Sequence, residues 1–330
     1  MFPPTLLNLR HQFLTRLART YSEREPRGLY APIDYILSIG GKRVRPLLAL
    51  LGAELFGDDP ETRPAGMPVA LAVEVFHNFT LVHDDIMDES PTRRGQATVH
   101  QKWDVNTGIL SGDLMLIQAY DYLSSTPDRT RVRALLQAFS RVATGVCEGQ
   151  QYDVDFERRS DVTVEEYLKM IELKTAVLLG GALEMGALAA GAGAEDAAHL
   201  YAFGRLTGLA FQLQDDLLDT FGEAEAVGKL IGNDIIRNKK TFLFLRALEL
   251  IGQNERDELN ELFTSNPTDP SAKVARVTDI MRQAGIPEAV AQLRDRYQDD
   301  AYAHLEAVEG NPRYKLMLRS LAEGLLQRQS

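Results

Sequence analysis

The stretch Val73-Glu74-Val75-Phe76-His77-Asn78-Phe79-Thr80-Leu81-Val82-His83-Asp84-Asp85-Ile86-Met87-Asp88 is apolar at half of its positions and closes on three aspartates. Its apolar side chains recur at three- and four-residue spacing, the period of an α-helix rather than of a strand. Residues four apart stack on one helix face, so Asp84 and Asp88 form a two-carboxylate claw. Like charges stacked in this way repel, and the arrangement asks for a cation. The claw sits at the end of a core helix and not along an exposed one.

A second stretch repeats the construction. Gly208-Leu209-Ala210-Phe211-Gln212-Leu213-Gln214 runs into Asp215-Asp216-Leu217-Leu218-Asp219, where Asp215 and Asp219 form another claw. One such run in an acidic protein is as readily a solvated face. Two of them, each closing an apolar helical run, point to something cationic between them, and hard divalent ions ligated by oxygen suit the donors.

The chain has 330 residues and a formal net charge of −11. That acidity argues against a nucleic-acid partner, which needs a basic stripe. Cys147 is the lone cysteine, so there is no disulfide framework, as suits a reducing cytoplasm. The opening MFPPTLLNLRHQF lacks a continuous apolar segment, so secretion is not expected. Ala176 to Ala194 is apolar apart from Glu184, but it is built from Ala and Gly. It reads as a tightly packed buried helix and not as a membrane span, so no stable membrane insertion is expected.

Helical period covers Leu29–Ile39, Val44–Phe56, Pro68–Met87, Thr107–Leu123, Arg129–Glu157, Val164–Ala190, Glu195–Thr220 and Asp234–Ile251. Breaks fall at Gly40-Gly41, Gly57-Asp58-Asp59-Pro60, Thr126-Pro127-Asp128, Gly191 to Gly193 and Asn266 to Pro270. No hairpin signal separates alternating strands, so the expected class is all-α. No flexible linker divides the chain, which favours one domain over residues 1–330 with the two acidic clusters facing a central cavity. Helices apolar round much of their circumference leave surface for a homodimer interface.

Basic residues complement the aspartates: Lys42, Arg43 and Arg45 in Gly40-Gly41-Lys42-Arg43-Val44-Arg45-Pro46, and Arg93-Arg94 just after the first cluster. Arginine forks match phosphate oxygens and lysine adds a point charge. The first of these could instead be an ordinary loop opening a helix near Pro46. Together the charges describe a polyanion site with room for two phosphate-bearing ligands.

These residues, with Gly149-Gln150, Lys174-Thr175 and Gly228-Lys229, stand in the order and spacing of the trans-isoprenyl diphosphate synthases, also called polyprenyl synthetases. The chain resembles that family from about Gly40 to Lys240. The resemblance implies a helical bundle of the isoprenoid-synthase type around a deep apolar cavity. It implies condensation of isopentenyl diphosphate with an allylic diphosphate, assisted by three Mg²⁺ ions per active site, with Mn²⁺ as a substitute. It makes Asp84, Asp88 and Asp215 the metal ligands, with Asp85, Asp216 and Asp219 ligating through water or orienting them. Arg93, Lys174, Lys229 and Lys239 would grip the allylic diphosphate, and Lys42, Arg45, His77 and Arg94 the isopentenyl diphosphate. Thr175 and Gln212 would turn oxygen dipoles toward the developing cation. The lysine loop departs from the family, reading Val227-Gly228-Lys229 where Thr-Gly-Lys is common.

Product length would be set below the first cluster. Helical geometry places Thr80 one turn under Asp84 and Phe76 a turn deeper, with Phe79 on a flank. A bulky aromatic at the position of Phe79 with a small residue at Thr80 resembles geranylgeranyl diphosphate synthases (C20). Farnesyl diphosphate (C15) and longer chains are the alternatives. A class I terpene synthase carries a different second metal motif, and non-catalytic prenyltransferase subunits tend to lose aspartates. Both clusters here are complete.

Overall fold

The computed structural model describes residues 4–18, 21, 24–57, 65–222 and 232–327. The described residues are helical apart from short connections and one small hairpin. Contacts divide the chain into two compact units: Met1–Ser140 with Gly181–Tyr201 and Ala307–Leu318, and Arg141–Gly180 with Ala202–Glu306 and Arg319–Ser330.

In the first unit, α1 (Pro4–Ala18), α2 (Arg27–Ser38) and α3 (Val44–Glu54) precede α4 (Gly66–Met87). The apolar run quoted above makes α4 the core element, with Val69, Ala70, Ala72, Val73, Val75 and Phe76 fully buried. It packs between α3 and α6 (Val105–Ser124), which follows the short α5 (Val99–Lys102). A helix apolar on so many sides is stable only when covered all round.

The helix expected at Val44–Phe56 is α3, and that at Pro68–Met87 is α4, its last turn ending where the first acidic cluster closes. The sequence gives no warning of a hairpin, yet β1 (Thr92–Arg93) pairs antiparallel with β2 (Gln96–Ala97). Its two loop residues, Arg94 and Gly95, both take positive φ, as a two-residue primed turn requires.

In the second unit, α7 (Val132–Arg158) supplies its C-terminal part, and α8 (Val164–Ile171) starts on a Thr163/Glu166 capping box. Where the sequence reads as one helix from Val164 to Ala190, a π-helical turn at Glu172–Ala176 separates α8 from α9 (Val177–Ala189). Next comes α10 (Ala194–Phe221), whose last turns carry the second acidic cluster.

The single helix expected at Asp234–Ile251 is also divided, into α11 (Asn233–Ile236) and α12 (Phe242–Leu250). The cause is Asn238, in the left-handed region at φ 56. Asparagine tolerates that conformation, and the buried Lys273 ammonium fixes the turn by donating to the Asn238 side-chain oxygen and to Ser265 O. Three helices complete this part of the chain: α13 (Gln253–Leu262), α14 (Ser271–Gln283) and α15 (Ile286–Ala307); α16 (Pro312–Leu326) follows.

The Ala- and Gly-rich segment is buried as expected: Ala182, Leu183, Met185 and Ala187 have no measurable exposure. No described helix is long and apolar enough to cross a membrane. Its small residues let backbones touch. A Cβ on Gly52 would lie 2.5 Å from Leu183 O, and one on Gly186 would overlap Ala49 O. Gly186→Ala is therefore expected to destabilise the protein by about 1–3 kcal/mol by forcing α3 and α9 apart. Thermal or urea unfolding checks this, and an unchanged midpoint contradicts it.

Candidate active site

In the first cluster the helix divides the aspartates by role. Asp84 and Asp88 share one face and are partly exposed, while Asp85, about 100° round the helix, is turned into the protein and is 1% exposed. Burial raises the Asp85 carboxyl above its ordinary range, and the Arg93 guanidinium opposes this only in part. Arg93 Nε donates to both Asp85 oxygens at 2.9 and 2.8 Å, and its Nη2 reaches Asp84 at 3.5 Å.

The glycine loop before α3 is sharply bent, with Gly40, Gly41 and Arg43 all at positive φ. Its three basic residues separate. Lys42 is exposed. Arg43 turns inward to a buried ion pair with Glu74, each side chain 3% exposed, and also donates to Leu37 O. It is a strut for the loop and not the phosphate-binding side chain that its place in the basic run suggested. Asn78 completes the strut by donating to Glu74 Oε1 at 3.0 Å.

Arg45 Nη1 lies 3.2 Å from His77 Nε2. Arginine only donates, so Nε2 must be a bare acceptor and His77 neutral. Burial, then the charges of Arg45 and Arg94, hold His77 well below its ordinary pKa. Burial also pushes Arg45 down to about 10. Arg94 donates to Gly40 O, so the hairpin turn places it on the glycine loop, while its neighbour Arg93 serves the aspartates. The family resemblance assigned the two arginines to different ligands, and the hairpin is the device that turns them apart.

The second cluster has the same division. Asp215 and Asp219 are partly exposed, whereas Asp216 is 3% exposed. Burial and the nearby Asp234 charge raise the Asp216 carboxyl to about 7. The Tyr167 hydroxyl donates to one Asp216 oxygen, and Gln212 Nε2 donates to the other at 3.0 Å. Thr175 Oγ1 in turn donates to Gln212 Oε1 at 3.5 Å. Asp219 Oδ2 accepts the Asp234 backbone N–H at 2.9 Å, which fixes the start of α11.

Lys174 and Thr175 lie in the π-helical turn. Lys174 Nζ donates to Asp153 Oδ2 at 2.6 Å. Burial alone would raise the Asp153 carboxyl, but the Lys174 and Lys239 charges outweigh it and hold it below the usual carboxylate range. Lys239 also acts on Asp216, so it belongs to this cluster. Lys240 instead caps α7 by donating to Phe156 O at 2.8 Å. Lys229 lies outside the described residues.

The proposed chain-length residues form part of an aromatic column. Phe79 lies edge-on to His83 and 5.5 Å from Phe76, and Phe76 meets Phe139 at 5.1 Å, which meets Tyr120 at 4.8 Å. Thr80 is half-buried and donates to His77 O. Sequence reading missed Phe139 and Tyr120, because nothing in a helical period says which aromatic on a neighbouring helix will be met. It also missed Tyr167. The only signal for that residue was an acceptor four residues beyond Gln212 that burial would leave short of donors.

Among the described residues, no three His, Cys, Asp or Glu side chains are gathered closely enough to cage an ion. The donors present are hard carboxylate oxygens in pairs. Magnesium suits such a set, being commonly held by one or two carboxylates while substrate phosphates supply further ligands.

The family model for polyprenyl synthetase matches residues 26–281. The chain is 35% identical to the geranylgeranyl diphosphate synthase of Methanosarcina mazei over 92% of its length and 91% of that protein's. It is also 35% identical to the geranylfarnesyl diphosphate synthase of Natronomonas pharaonis, with 92% and 91% covered. A crystal structure of a geranylgeranyl pyrophosphate synthase superposes with a TM-score of 0.93 at 46% identity, covering 99% of this chain and 100% of that one. The chain belongs to the polyprenyl synthetase family. It is a prenyltransferase with the all-α isoprenoid synthase fold, in a family that requires a divalent metal and uses isopentenyl and allylic diphosphates.

His77 gives the site a pH signature. The unfolded chain takes up a proton near pH 6.5, the ordinary histidine value, while native His77 resists until well below it. More protons bound by the unfolded state below pH 6.5 means stability is lost as the pH falls through that value. Melting temperatures from about pH 7 to about pH 5 should fall more steeply for the native protein than for His77→Asn. Equal slopes contradict the assignment.

Proposed function

We propose that this prenyltransferase condenses isopentenyl diphosphate with dimethylallyl, geranyl and farnesyl diphosphates, finishing at geranylgeranyl diphosphate (C20). The observation that carries the chemistry is the shared design of the two clusters: in each, the middle aspartate is buried and pinned while its neighbours four residues apart are partly exposed on one helix face. Asp84, Asp88 and Asp215 would hold Mg²⁺, with Asp219 completing the second claw. When bound, the three magnesium ions neutralise the charge developing on the departing diphosphate, and Mn²⁺ can replace them.

Arg93, Lys174, Lys229 and Lys239 grip the allylic diphosphate in this reading. Lys42, Arg45, Arg94 and His77 hold isopentenyl diphosphate, with His77 acting as the neutral partner that aims Arg45. Thr175 and Gln212 face oxygen dipoles toward the allylic cation, and apolar walls keep out the water that would quench it. The double bond of isopentenyl diphosphate attacks, and the proton it releases passes to the departed diphosphate. The reading requires both clusters to act on one allylic diphosphate.

A C20 product is supported by Phe79 with the small Thr80 beside it, and by likeness to enzymes named for that product. An equally similar relative is named for a product one isoprene unit longer, so overall identity does not decide length. Residues below the first cluster do. A homodimer is supported by α6, where Ile109, Leu110 and Ile117 stay exposed, Ile117 at 65%. A cytoplasmic location is supported by polar diphosphate substrates and a single cysteine.

Incubation with Mg²⁺, isopentenyl diphosphate and each primer, followed by chromatography of the dephosphorylated products, reads activity and length together. The expected main product is C20. Asp84→Ala and Asp215→Ala should each lower kcat by at least about a hundredfold, and full turnover would refute the ligand assignment. Phe79→Ala should lengthen the product by one unit only, because Phe76 and Phe139 stand behind it. An unchanged product would show that Phe79 is plain core.

A further inference from the structure

Tyr167 is 1% exposed, and its hydroxyl spends its proton on Asp216. It lies eight residues before Thr175, whose hydroxyl reaches Gln212. Gln212 and Asp216 are one turn apart on α10 and bonded to each other. Two groups from one helix therefore meet two adjacent groups on another.

A regular α-helix forbids that pairing. Eight residues at about 100° each leave the two side chains about 80° apart, whereas seven would bring them within about 20°. The π-helical turn Glu172–Ala176 lies between them, and Val177 N–H donates to Glu172 O, five residues back, in place of the usual four. One extra residue in the turn restores the phase, so both Tyr167 and Thr175 face α10. The widened backbone is accommodated at Gly149 on α7, where a Cβ would come within 2.7 Å of Leu173 C.

We propose that Tyr167 is a positioning residue of the second acidic cluster: through Asp216 and Gln212 it fixes Asp215 toward the metal and Thr175 toward the allylic carbon, and the π-helical turn exists to hold both ends of that chain on one face. The proposal rests on the function proposed above. With Tyr167 and Gln212 occupying both its oxygens, Asp216 is held off the ion, and it transmits order instead of ligating. Side chains that orient a metal ligand's neighbours in this way are worth about 10–100-fold in metal affinity or activity.

The test is Tyr167→Phe in the full-length enzyme. The Mg²⁺ concentration for half-maximal activity is expected to rise by about tenfold and kcat to fall within the range of about 10–100-fold, while KM for isopentenyl diphosphate stays within about twofold, its basic groups being elsewhere. Without activity, the rise in melting temperature on adding Mg²⁺ and inorganic pyrophosphate should shrink, and the metal-free protein should melt within a few degrees of the parent. In a cycle with Asp216→Asn the two losses should not add. A lower melting temperature with unchanged magnesium requirement, or additive losses, overturns the proposal. If the phenylalanine protein does not fold, meta-fluorotyrosine at position 167 reports the hydroxyl directly: its fluorine resonance should move when Mg²⁺ and pyrophosphate bind, and an unmoved resonance overturns the proposal. Failure of the parent enzyme to make any prenyl product would refute the broader reading instead.

Discussion

Carboxylates stacked on one helix face repel, and the site depends on how each cluster contains that repulsion. Three aspartates in five residues cannot all point the same way, because the second is turned about 100° from the first. In both clusters that second aspartate goes into the protein, where burial would neutralise it unless donors met it. Arg93 meets Asp85 with two bonds from a charged fork. Asp216 has a phenol and an amide and no direct cation, and it sits near pH 7. Each solution keeps an i, i+4 pair partly exposed on one helix face.

The same economy governs the basic groups. Of three cationic residues in the glycine loop, Arg43 is spent on the core, where it ties the loop to Glu74 on α4. That leaves Lys42 at the surface and Arg45 aimed by a neutral histidine. The hairpin then sends Arg93 to the aspartates and Arg94 to the loop, so two adjacent residues reach two different parts of the site. A helix could separate neighbours by only about 100°, whereas the turn at Arg94 and Gly95 frees them entirely.

Helical class, the core helix ending in the first acidic cluster and the paired claws were all legible from spacing, because a period of 3.6 residues is a local property. The packed Ala/Gly helix was legible too, since small residues have few other uses in so apolar a run. The departures share one cause. The π-helical turn at Glu172–Ala176, the break at Asn238 and the inward turn of Arg43 are each decided by partners distant in sequence: Gly149, Lys273 and Glu74. Tyr167 stayed hidden for the same reason, as an eight-residue spacing looks meaningless until the extra residue of the turn is counted.

A diffraction experiment on crystals grown with Mn²⁺ and an unreactive allylic diphosphate analogue tests the central claim most directly, because anomalous scattering locates each ion without reference to the side chains. The account predicts ions bound by Asp84 and Asp88 and by Asp215, with the Asp85 and Asp216 oxygens outside direct ligation. Ions confined to one cluster, or bound directly by Asp85 or Asp216, would contradict it.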